Sequence, residues 1–214
     1  MDNTQEIFEY LPLTYKNPSD AEYFNFLVYS VEQNLVAENY HFAFLALHMI
    51  FMGIIYHYIY ALYRADPTKF DNILIGFHDH MESRGKVSDF SDLSWHNFSV
   101  INEASIVQFF RSVGLEKGDI KEIKNLINRR NDGAHANGSF VASEEEFQEI
   151  SLLYLNSLKN IHKSSLSKYK KLHRKFLRNI ERFSLDDDEK EEYFRTDFVR
   201  EYEANQKVID NLSL

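Results

Sequence analysis

Residues 42–62 read FAFLALHMIFMGIIYHYIYAL, a run without one charged side chain. A run of this length can span a bilayer. A helix buried on nearly all sides by other helices has the same composition. His48, His57 and the tyrosines at 56, 58 and 60 argue for the second reading, because such side chains are poor occupants of a bilayer centre. The run is also the only one of its kind in the chain. It is therefore read as the central helix of a folded core, with no membrane involved.

The flanks punctuate this helix. Asn39 can cap its start, and Asp66-Pro67 stops it after Arg64. Upstream, residues 1–19 with Pro12 and Pro18 read as an irregular lead-in. A helix follows from Asp20 to Ala37, with Tyr23, Phe26, Leu27, Tyr29 or Ser30, and Asn34 on one face. Downstream, a short helix is expected near Thr68–Phe77. Residues 78–99 read as a loop, and a loop of that length inside a compact domain is often functional. A helix from about Asn102 to Val113 ends at Gly114. Asp119 with Glu122 forms a capping-box pattern and opens a helix over 120–131, which Gly133 ends. Ser143 with Glu146 forms a second one, with three acids to suit the helix dipole. The helix beyond it carries one stripe of Phe147, Ile150, Tyr154, Leu158 and Ile161, and another of Tyr169, Leu172, Phe176, Ile180 and Phe183. Ser164-Ser165-Leu166-Ser167 is a candidate break between them. Asp186-Asp187-Asp188-Glu189 is expected to cap a last helix to about Ile209. No repeat and no alternating strand pattern is present.

Composition supports this outline. Of 214 residues, 44% are apolar, including 18 Phe and 13 Tyr, enough for a sizeable core. Seven Gly and three Pro are few breakers for a many-turned β fold. Cysteine is absent, which excludes disulfides, thiolate metal sites and cysteine nucleophiles, and suits a reducing cytoplasm. The N-terminus lacks the basic and apolar regions of a signal peptide. Net charge is −9, unevenly spread. Residues 159–182 hold nine of the 24 Lys and Arg and one of the 33 acids, which leaves −17 elsewhere. The expected fold is all-α: an up-down helical bundle over 1–163 and a basic, then acidic, helical extension over 164–214.

The candidate chemistry lies in Arg130-Asn131-Asp132-Gly133-Ala134-His135. Ile120, Ile123, Leu126 and Ile127 mark the buried face of the 120–131 helix, and Arg130 and Asn131 continue that stripe. Burying such groups is costly unless they are paired or line a cleft. His135 follows just beyond a Gly-Ala turn, placed to share a pocket with Arg130. The pair suits cleavage of RNA by its own 2′-hydroxyl. Histidine titrates near neutral pH and serves as acid or base. Arginine stays charged and matches phosphate oxygens with a planar fork. The route needs no metal and no cofactor.

This motif and its setting resemble the HEPN family of helical ribonucleases. The resemblance rests on the RNDGAH string at 130–135, with Ser143-Glu144-Glu145-Glu146 opening the next helix; about thirty residues match in detail, and the rest in helix pattern only. It implies a four- or five-helix bundle that dimerises and brings two motifs together. It also implies that Arg130 and His135 are the catalytic pair, with Asn131 in support. RNA would be the substrate, as many members of the family act as toxins or antiviral effectors, and a neutralising or regulatory protein is a further candidate partner of this chain. One branch carries Tyr two residues after the His; Asn137 stands there in this chain, so regulation through that Tyr is not implied. Some members keep the bundle and bind nucleotide, RNA or protein without cutting.

Other features leave alternatives open. Arg129 is a candidate helper on phosphate or an exposed arginine. The basic stripe, with Lys170, Lys171 and Arg174, fits a phosphate backbone, a solvated helix face, or pairing with the acidic body or Asp186–Glu192. His78-Asp79-His80 could ligate a metal but lacks a second half, so an exposed loop is the better reading and no metal site is assigned. His41 and His48 share a helix face as hydrogen-bonded core or interface histidines, and Trp95 reads as a packing anchor.

Overall fold

The structure, a computed structural model, describes residues 2–68, 95–135, 138–183 and 185–212. The expected helix near Thr68–Phe77, most of the 78–99 loop, His78-Asp79-His80 and Asn137 lie outside these residues. The protein is all-α, with no β-strand among the described residues.

Helix α3, Tyr40–Ala65, occupies the centre. Positions from Ala43 to Tyr63 are buried apart from Leu45 and Met49, because α2 (Pro18–Val36), α5 (Lys117–Ala134), α6 (Glu144–Ile180) and a 3₁₀ turn at Trp95–Val100 pack around it. Each large apolar side chain so buried stabilises the fold by about 1.5–3 kcal/mol. The charge-free run is thus accounted for by the protein's own interior. Gly53 lets α2 approach: a Cβ there would sit 2.5 Å from Phe24 Cε1.

Several expected elements differ. The N-terminal lead-in contains a helix, α1 (Asn3–Phe8), whose first turn is capped by the Asp2 side chain. On α2 the buried residues are Asp20, Phe24, Leu27 and Val31, whereas Tyr23, Phe26 and Tyr29 are exposed. The expected face was rotated because both sides of α2 are aromatic and the position of α3 selects one. Between Asn102 and Gly114 the chain forms a short helix, α4 (Glu103–Ile106), capped by Asn102, then a 3₁₀ stretch, Val107–Val113. Gly114 ends it with φ 92°, the left-handed conformation expected there.

Asp119 does not cap α5, which starts one turn earlier after Glu116; its carboxylate accepts from Asn160 Nδ2 at 2.9 Å. Nor does Gly133 end α5, which continues through Ala134. Ser143 does cap α6, accepting from the Glu146 N–H at 3.2 Å. Helix α6 runs unbroken for 37 residues, and Ser165 is fully buried inside it. Neither Gly nor Pro interrupts that stretch, so nothing forces a bend.

The expected division at 163/164 falls inside α6. Residues beyond it, including Tyr169, Leu172, Phe194 and Phe198, share one core with α3. Asp186 caps α7 (Asp187–Tyr193) in a full capping box with Glu189. The chain continues through a π-helical turn at Phe194–Phe198 into α8 (Val199–Tyr202), breaks at Glu203 with φ 46°, and ends in α9 (Gln206–Ile209). This return is tied to the N-terminus: Leu13 N–H donates to Ala204 O at 3.0 Å, and Asn205 Nδ2 donates to Tyr10 O at 3.1 Å and to Tyr58 Oη at 3.2 Å.

Candidate functional site

Arg130 lies in the penultimate turn of α5, one step past the buried Ile123–Ile127 face. Its side chain is about a quarter exposed and pairs with Glu103, the first residue of α4. The same carboxylate oxygen accepts from His48 Nε2 at 3.3 Å. With that nitrogen donating, His48 Nδ1 accepts from the Tyr154 hydroxyl at 2.8 Å. Four elements, α5, α4, α3 and α6, thus meet in one polar chain: Arg130, Glu103, His48, Tyr154.

Burial and charge shape this chain. Burial alone would raise the Glu103 pKa, but the His48 hydrogen bond and the nearby charges, Arg130 included, outweigh it and hold the carboxyl below its usual range. Burial lowers the His48 pKa, Glu103 offsets part of that, and Arg130 pushes it down further. His48 is therefore neutral at pH 7. Burial also raises the Tyr154 hydroxyl far above the ordinary tyrosine value, so it remains a donor.

An open cleft of about 520 Å³ lies beside this chain. Arg130, Glu103 and His48 form one wall, while Leu45, Met49, Met52 and Trp95 form an apolar one. Asp20, buried at 4% exposure, orients the second wall by accepting from Trp95 Nε1 at 3.0 Å and from His96 Nε2 at 2.7 Å. Arg130 Nε is buried there without a hydrogen-bond partner among the described residues. The size and mixed lining suit a small ligand or a single nucleotide unit.

The other motif residues are spread around the end of α5. His135 is the C-cap, with extended backbone, an exposed side chain and no partner among the described residues. It does not line the Arg130 cleft. Asn131 is half-buried and likewise unpartnered there. Arg129 faces away from Arg130, paired with Glu146 at 2.5 Å, and lines a separate cleft of about 300 Å³. Lys170, Lys171 and Arg174 are exposed on the distal half of α6.

His41 fastens the motif from behind. Its Nδ1 accepts from Val141 N–H at 3.2 Å, so its Nε2 donates to Gly133 O at 3.1 Å. A Cβ at Gly133 would lie 3.0 Å from His41 Cε1. This glycine therefore serves close packing within the helix rather than a left-handed turn. The shared face of His41 and His48 is visible in their seven-residue spacing. Glu103 carried no comparable signal: it is one acid after an N-cap Asn, in the place any helix dipole would favour one. Among the described residues no group of three or more His, Asp or Glu is placed to hold a metal.

No protein family, curated protein or solved structure matches this chain.

Proposed function

We propose that the protein is a HEPN-like, metal-independent endoribonuclease of the toxin or antiviral type, which cuts RNA by attack of the 2′-hydroxyl and leaves a 2′,3′-cyclic phosphate. Arg130 would stabilise charge on the pentacoordinate phosphorus, His135 would move the proton, and Asn131 would order the pocket. The observation that carries this reading is an arginine fixed by Glu103 in the wall of an open cleft, with an exposed histidine, unpartnered among the described residues, at the end of the same helix. His135 stands beyond the helix end with extended backbone and does not line the Arg130 cleft, so one copy does not bring both side chains to one point. A homodimer would supply the second motif. Phe26 and Tyr29 on α2 are large apolar side chains left exposed for such a contact.

The test is incubation of the protein with RNA in excess chelator. Products ending in a 2′,3′-cyclic phosphate, with at least 100-fold slower cleavage by Arg130→Ala and His135→Ala, are expected. Equal cleavage by wild type and both variants would overturn the assignment.

One observation favours a second reading, a non-catalytic module that binds nucleotide, RNA or protein through the same groove. The Arg130 charge is already answered by Glu103, as in a structural ion pair. RNA that is bound and left intact by wild type would select this module.

A further inference from the structure

The distal half of α6 carries a charge pattern that the Arg130 cleft does not use. From Lys163 to Ile180 the helix has no acidic residue. Lys163, Lys170, Lys171, Arg174, Lys175 and Arg178 are exposed, on the side opposite the buried Ser165, Tyr169, Leu172, His173 and Ile180. The acidic stretch that follows does not neutralise this face. Among the described residues Asp187 pairs with Lys190 at 3.1 Å and Glu191 with Arg195 at 2.6 Å, both locally. Among the described residues the acid reaching the 163–180 stretch is Asp66, 3.9 Å from Lys168 and 3.6 Å from Lys171. Arg174 and Arg178 each donate Nε–H to the carbonyl four residues earlier, at 3.2 and 3.4 Å. Both guanidinium groups are thereby laid along the helix, with their Nη groups unpartnered among the described residues.

We propose that this face of α6 binds the phosphodiester backbone of RNA, so that the substrate is an RNA long enough to lie along the helix and still reach the motif. The proposal rests on the nuclease reading for the position of the cut, but not for the binding itself. At about 1.5 Å per residue, Lys163 and Arg178 lie roughly 26 and 48 Å along the axis from Glu146, which adjoins the motif through Arg129. No mononucleotide or short oligonucleotide bridges that span. A membrane surface is disfavoured because the apolar side of α6 is buried in the core and has nothing to insert. Arginine forks laid along the helix, with the exposed ammonium groups of Lys163, Lys170 and Lys175 unpaired among the described residues, suit closely spaced phosphates.

The experiment measures binding, not cutting. Full-length Arg130→Ala protein is titrated with a labelled hairpin RNA of about thirty nucleotides and with a six-nucleotide RNA, across a salt series. The same is done after Lys170→Gln, Lys171→Gln and Arg174→Gln are added together. The hairpin is expected to bind at least tenfold tighter than the short RNA. The triple change is expected to remove that advantage and to lower the log–log salt slope by about 2, near 0.7–0.9 per lost contact. An unchanged slope and affinity would overturn the proposal, as would equal binding of both RNAs by the parent. Equal loss of binding to polyglutamate or to phosphatidylserine vesicles would also overturn it, in favour of an acidic protein or a membrane. Binding that behaves as expected in a protein that never cuts RNA would sink the nuclease reading and leave this surface standing.

Discussion

Glu103 decides what Arg130 is able to do. Its carboxylate is answered by a guanidinium on one side and a neutral imidazole on the other, so removing its charge weakens both contacts. Glu103→Gln is expected to lower unfolding free energy by about 1–2 kcal/mol at pH 7 in urea titration. The carboxyl is held below its ordinary value of 4.5, so its contribution is fully present above that pH and is lost as pH falls through the lower folded value. The difference between wild type and Glu103→Gln is therefore expected to shrink below pH 4.5. A difference that stays constant would mean that Glu103 acts through shape alone. In the nuclease reading, the same change leaves the reacting groups in place but frees Arg130, a positioning effect that should appear in the pH–rate profile. Arg130 and His135 could be picked out of the sequence by residue type and helix context. Glu103 and Tyr154 could not, because their role exists only where four segments far apart in the chain converge.

At the scale of elements, the helices follow local signals while their faces do not. Asn17, Asn102, Ser143 and Asp186 accept from first-turn N–H groups, the capping behaviour their types favour. The buried face of α2 was not readable, since Tyr23–Phe26–Tyr29 and Phe24–Leu27–Val31 are both apolar stripes at helical spacing. Their sorting depends on Gly53, which opens the space Phe24 fills. Gly53→Ala puts a Cβ 2.5 Å from Phe24 Cε1 and Cζ. The substitution gains about 1 kcal/mol of helix propensity but overpacks the contact at about 1–3 kcal/mol. A net loss of stability is expected in thermal or urea unfolding. A stabilised Gly53→Ala protein would show that Phe24 yields freely.

For the whole molecule, buried histidines set the pH range of stability. Burial lowers the pKa of His48, His162 and His173 from the ordinary 6.5. In the unfolded chain they take up protons that the folded state resists. Stability is therefore fully present above pH 6.5 and declines as pH falls from there towards the folded values, by up to about 1.4 kcal/mol per pH unit for each proton of difference. Between pH 6.5 and 4.5 this decline is separable from loss of the Glu103 pair. Equal unfolding free energies at pH 7.5 and 5.5 would contradict it. The termini close the same core: residues 203–212 pack against Tyr10, Leu13 and Tyr58, so changes at Asn205 should weaken the global transition rather than fray one end.

Composition and periodicity by themselves determined that this chain is helical, that residues 42–62 form its central helix, that Ser143 and Asp186 cap the helices that follow them, and that Arg130 continues the buried stripe at a helix end. These are properties of neighbours in sequence, set by backbone hydrogen bonding and a 3.6-residue repeat. Only the tertiary structure decided which stripe of α2 faces inward, that α6 is one unbroken rod, that Arg129 and Arg130 serve different clefts, and that Glu103 holds Arg130. Those outcomes depend on volumes and charges brought together from distant segments, and no local pattern records which partner will fill a given space. The motif that stood out in the sequence is thus half a site, and the fold supplies the acid, the histidine and the cleft around it.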